Sequence, residues 1–145
     1  MWREFIRGLA NDVEFEPPVT EDRLAAAEAT LGVAIPDQLR SLLGETDGVV
    51  DEYGMGLVWP LDRIVKDNLE FRGYEGFRDL YMPFDCLLFF GEAGNGDQFA
   101  FPIQADGAIH RSDVFAWTHE DDGRKWIASS LKSFLERWSS GKIEL

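Results

Sequence analysis

Two dipeptides, Asn95-Gly96 and Asp122-Gly123, each sit between short apolar runs that alternate with period two. Asn-Gly and Asp-Gly are the preferred pairs for two-residue type I′ turns, in which both central residues take positive φ. They predict two antiparallel hairpins in the second half of the chain. Counting outward from Asn95-Gly96 puts Phe90 opposite Phe101 and Leu88 opposite Ile103, so that apolar residues meet on one face. Gly91 and Gly94 then provide for a bulge or a close approach of backbone. From Asp122-Gly123 the same count pairs Asp121 with Arg124, Glu120 with Lys125 and His119 with Trp126, as suits a solvent-exposed hairpin.

The first half follows a helical period instead. Trp2, Phe5, Ile6 and Leu9 make one stripe of a short helix, and Pro17-Pro18 interrupts the pattern. Thr20 is placed as an N-cap, with Glu21 and Asp22 in the first turn, Leu24, Ala27 and Leu31 inward, and Gly32 as the C-terminal cap. Ile35-Pro36-Asp37 opens another helix with Leu39, Leu42 and Leu43 inward, ending near Asp47-Gly48. Residues 55–59 read as a strand, Leu61, Ile64, Val65 and Leu69 as a helix, and residues 71–86 as irregular. Strands are expected at 87–90, 99–103, 114–118 and around 126–128. Ile127, Leu131, Phe134, Leu135 and Trp138 then return to helical spacing, capped by Ser129 or Ser130. Helices that lead and close the chain around a block of strands predict an α+β fold, with helices packed against a mixed, largely antiparallel sheet. No linker, repeat or low-complexity tract divides residues 1–145, so a single domain is expected.

With 45% hydrophobic and 13% aromatic residues in a chain of 145, there is enough apolar material for a core. No apolar run reaches the ~18 residues of a membrane span, and the opening residues carry no signal-peptide core. Cys86 is the single cysteine, which rules out an internal disulfide and points to a cytoplasmic setting. Between Phe84 and Leu87-Leu88 it reads as a buried thiol. There are 27 acidic residues against 14 basic, a net charge of −13. Lys and Arg are scattered rather than clustered, which argues against nucleic acid as a direct partner. The acidity either keeps the protein soluble or speeds encounter with a basic protein.

Two stretches imitate chemical sites. Gly91 and Gly96 have the spacing of a phosphate-binding loop, but Asp97 and Gln98 occupy the Lys and Ser/Thr positions, and a strand rather than a helix follows. His119, Glu120, Asp121 and Asp122 look like metal ligands, yet neighbours on a strand face opposite ways and no HExxH or EF-hand spacing occurs. His110 and His119 are the only histidines, and no G-x-S-x-G sequence supplies a nucleophile. With 27 carboxylates some pair always falls at glycosidase spacing, so such pairs are uninformative. No catalytic residue, metal or cofactor is expected.

Leu31-Gly32-Val33-Ala34-Ile35-Pro36-Asp37, running through Leu42-Leu43 to Asp47-Gly48, resembles the helix pair of the SUKH superfamily, the SMI/KNR-like domains. Phe89-Phe90-Gly91 with Gly94-Asn95-Gly96-Asp97 and Phe99-Ala100-Phe101 resembles that family's central hairpin, and residues 114–120, ending in His119-Glu120, its later strand. The resemblance covers roughly residues 20–138. It departs at Asp47, where the family commonly has Asn, and either residue suits a turn. It implies an α+β fold without enzymatic activity and, for bacterial members, an immunity protein that neutralises a toxin domain, often a nuclease. The alternative it implies is a regulatory scaffold akin to the cell-wall-synthesis branch. It assigns no partner-binding residue by position. The exposed acids at the two hairpin tips are the candidates read from the residues themselves: Glu92 and Asp97 on one, Glu120, Asp121 and Asp122 on the other. They either solvate the hairpins or together meet a basic toxin.

Overall fold

Short polar side chains start two of the helices. In the computed structural model, which describes residues 1–9, 13–51 and 53–143, the Thr20 hydroxyl accepts the Arg23 N–H at 3.3 Å and the Ser130 hydroxyl that of Ser133 at 3.1 Å. They open α2 (Glu21–Leu31) and α5 (Leu131–Ser139). Gly32 closes α2 in the left-handed conformation. α1 (Trp2–Leu9) turns Trp2 and Ile6 inward, and α3 (Asp37–Leu43) buries Leu39, Leu42 and Leu43. α4 (Leu61–Gly73) has Pro60 before it, which brings no side-chain cap. Asp47 supplies one from a distance: its carboxylate accepts the Leu61 N–H at 2.8 Å. The aspartate read as a turn residue therefore also starts a helix.

The class is α+β. The strands form two antiparallel sheets: β1 (Glu14–Phe15), β2 (Val49–Val50) and β3 (Gly56–Val58) in that order, and β4 (Leu87–Glu92), β5 (Gln98–Pro102), β6 (Val114–Thr118) and β7 (Gly123–Ala128) as a meander. β1 and β2 were not anticipated, since two residues each are too short to show a period. The Trp59 N–H donates to the Phe90 carbonyl at 2.7 Å and ties the sheets together. Gly91 lies against the Leu57 backbone, where any Cβ would strike the Leu57 carbonyl oxygen. The expected close approach is real.

Both hairpin registers differ from the outward count. Leu88, not Phe90, is opposite Phe101, and a bulge between Phe89 and Gly91 shifts the pairing. The turn is longer than two residues: Ala93 N–H reaches the Asp97 carbonyl at 2.9 Å, and Asn95 keeps negative φ while Gly94 and Gly96 are positive. Phe90 and Phe101 still meet as stacked rings with centroids 4.7 Å apart. In the second hairpin Thr118 pairs with Gly123, Trp117 with Arg124 and Phe115 with Trp126. His119 to Asp122 therefore make a four-residue loop, and Asp122 rather than Gly123 takes the left-handed conformation, at φ 55. The pairs expected across an Asp122-Gly123 turn do not form.

α5 packs on the meander through Phe134, whose ring lies 4.5 Å from Phe99 and 5.6 Å from Phe90, centroid to centroid. Behind the same sheet Phe71, Phe84, Phe89 and Trp117 form edge-on aromatic contacts. Asn68, 1% exposed, is a buried polar residue beside this cluster. Its amide donates to the carbonyls of Ile64 and Phe89 and accepts the Phe89 N–H, fastening α4 to β4. Cys86 is exposed, contrary to the expectation from its neighbours; it precedes β4, the strand that is covered on both faces and so buries Leu87 and Leu88 alike.

Candidate functional site

The β4–β5 and β6–β7 loops come together at one end of the meander. Asp97 makes the junction: its Oδ1 accepts the His119 backbone N–H at 3.0 Å and lies 2.7 Å from His119 Nδ1. A carboxylate only accepts, so Nδ1 carries the proton. Gly96 permits this approach. A Cβ there would lie 2.8 Å from the same Nδ1, and the residue's φ is +100. Asn95 turns its Oδ1 onto the Asp97 N–H at 3.0 Å and stiffens the tip.

The β6–β7 loop is braced from within and from outside. Asp121 accepts from the Thr118 hydroxyl and, at 2.9 Å, from the Gly123 N–H. The Thr118 contact, followed by the Gly123 contact, holds the Asp121 carboxyl below its ordinary range. Asp122 accepts from the Trp117 indole at 2.7 Å, the Met82 N–H at 2.9 Å and the Arg124 guanidinium at 3.1 Å. Burial pushes that carboxyl up, but these donors outweigh it and hold it below the usual value. Tyr81 adds a third strut, its hydroxyl donating to the His119 carbonyl at 3.0 Å.

The five acids chosen from the sequence therefore part company. Asp97, Glu120 and Asp121 line one polar cleft of about 250 Å³ with Asn95, His119 and Lys125. Asp97 is only 6% exposed, its carboxylate turned to His119, so it is not the exposed acid expected. Asp122 is turned into the fold, its side chain 14% exposed. Glu92 lies apart, accepting from the Trp59 indole at 2.8 Å and pairing with Arg63 at 2.5 Å. Glu120 is exposed and forms no ion pair among the described residues. Lys125, which also lines the cleft, and the role of His119 as a bridge were missed. Both depend on two hairpins meeting, which the pairing count within either one does not reveal.

The cleft is acidic on balance, bordered by Asp97, Glu120 and Asp121 against the one ammonium of Lys125, and Glu120 is the acid of the three with no hydrogen bond among the described residues. Among the described residues no group of three or more His, Cys, Asp and Glu side chains is placed to hold a metal ion. Nor is any described helix long and apolar enough to cross a membrane. The family comparison agrees with the fold: the model SUKH_6, described as SMI1-KNR4 cell-wall, matches residues 21–135. No curated protein matches the chain. The matched span runs from the first residue of α2 into α5 and takes in both hairpin loops, so the chain belongs to the SMI1-KNR4 family.

Proposed function

We propose that this chain is a non-enzymatic protein-binding domain of the immunity type, acting in the cytoplasm by occupying a basic toxin domain. The observation that carries the reading is the acidic cleft between the two hairpin loops, where Glu120 and Asp121 face solvent on a rigid base within a chain of net charge −13. A fixed acidic surface speeds association with a basic partner without needing chemistry of its own. Family membership supports protein binding and leaves the partner open. The test is to sequence the genes flanking this one and take any toxin-like domain they encode as the partner. Co-expression of the two is expected to restore growth to cells that the toxin alone arrests, with a stable complex on gel filtration. Growth arrest unrelieved, with no complex, would sink the immunity reading. The reference to the cell wall in the family's description would then favour a regulatory scaffold.

A further inference from the structure

Asn95-Gly96 predicts a two-residue turn that does not form, and neither residue takes part in pairing β4 to β5. Both are exposed at the tip of the loop between those strands. The chain has three asparagines, Asn11, Asn68 and Asn95, and Asn95 is the one followed by glycine. An asparagine in that setting is open to attack on its own Cγ by the next backbone nitrogen, because glycine lacks the Cβ that would crowd the approach. The loop adds two features to this local chemistry. Asn95 Oδ1 accepts the Asp97 N–H at 3.0 Å, which polarises the side-chain carbonyl and provides a donor for the oxyanion that attack creates. The Gly96 N–H donates to no acceptor among the described residues, so no hydrogen bond has to break before it gives up its proton. Asn68 is the contrast: it is buried, its amide is committed to the backbone of Ile64 and Phe89, and Leu69 follows it.

We propose that Asn95 is a self-modification site, whose side-chain amide is lost to water and whose product adds a carboxylate to the acidic cleft. The deprotonated Gly96 nitrogen attacks Asn95 Cγ and closes a succinimide ring. The Cγ–Nδ2 bond breaks, and the leaving nitrogen takes up the proton to depart as ammonia. A water molecule then opens the ring at either carbonyl, and it is the only co-reactant. One opening gives aspartate on the original main chain. The other gives isoaspartate, with the main chain running through the former side chain. The place of Asn95 gives both products a consequence, since it lines the cleft with Asp97, Glu120, Asp121 and Lys125. The amide is neutral and either product is charged, so three acids against Lys125 become four. Glu120 and Asp121 oppose the negative charge that forms on the way, which ties the rate to the charge of the cleft. Isoaspartate also lengthens the main chain just ahead of Asp97, whose carboxylate joins the two hairpin loops through His119, and so loosens that joint. Aspartate leaves it in place, because its Oδ1 can accept the same Asp97 N–H.

The test holds the folded protein at mildly alkaline pH and physiological temperature for several weeks, with samples taken for anion exchange and peptide mass spectrometry. A more strongly retained species is expected, its amide-to-acid mass change confined to the peptide that carries Asn95, with Asn68 intact. Isoaspartyl methyltransferase should methylate part of that species, and the methylated fraction should melt below the fresh protein. Asn95→Gln, whose longer arm closes the ring less readily, should cut the yield roughly tenfold or more. Glu120→Lys should raise the rate roughly twofold or more at low ionic strength, with the gap closing in high salt. An Asn95 amide that survives in the folded protein, while the chain unfolded in guanidinium converts, overturns the proposal, since the fold then protects it. So does a Glu120→Lys rate equal to that of wild type, which places the amide outside the field of the cleft. None of these readouts involves a partner, so they stand or fall separately from the immunity reading.

Discussion

At Asp122 donors from three parts of the chain converge on one carboxylate: the Met82 N–H, the Trp117 indole and the Arg124 guanidinium. An acid chosen for its charge is thus a structural tie. Asp122→Asn weakens every one of these contacts, and a loss of about 1–3 kcal/mol at neutral pH is expected from urea unfolding. The pH dependence follows from the lowered carboxyl. Its folded value lies under the unfolded one, about 3.9, so the folded state binds fewer protons over that interval. The stabilisation is complete above about pH 4 and disappears as pH falls through the folded value. The gap between wild type and Asp122→Asn should therefore narrow at acid pH; a gap that widens there would contradict the assignment. Gly96 makes a second test. Val at φ +100, with its Cβ on the His119 ring, should lower stability by about 1 kcal/mol or more in a thermal melt. An unchanged midpoint would mean that the two hairpin tips do not meet as described.

Among the elements, α4 and β4 are joined by Asn68, whose amide serves both the N–H and the C=O of Phe89. Asn68→Leu keeps the volume and leaves both backbone groups buried without partners. A cost of about 1–3 kcal/mol is expected in chemical denaturation, more than an apolar replacement usually brings. Stability equal to wild type would show that water takes over both groups. The helices were legible because caps and apolar spacing are local: Thr20, Gly32, and Leu39 with Leu42-Leu43 act within a few residues of where they stand. The strands of the meander were legible too. Their registers were not, since the Asn-Gly and Asp-Gly preference competes with tertiary demands. Gly91 must sit against Leu57, which forces the bulge, and Asp122 must reach Met82, which draws the second turn out to four residues. The candidate site was legible as charge but not as geometry. Nothing local distinguishes Glu120, which faces water, from Asp97, which is committed to His119 twenty-two positions away.

For the molecule as a whole, the excess of 13 negative charges matters where rigid loops present it to a partner. Glu120 is the acid whose charge can be changed without removing a contact, while Asp121 and Asp122 hold the loop itself. Reversing the latter two would confound steering with stability, so Glu120→Lys is the cleaner probe. The measurement that bears most directly on the proposed function is stopped-flow association with the toxin domain that rescues growth in the co-expression test, at low and physiological ionic strength. Wild type should associate faster at low salt, by the steep dependence that opposite charges produce. Glu120→Lys should associate more slowly, with a flatter salt dependence and an unchanged melting temperature. Association that is identical for the two proteins and indifferent to salt would contradict docking at the acidic hairpin loops.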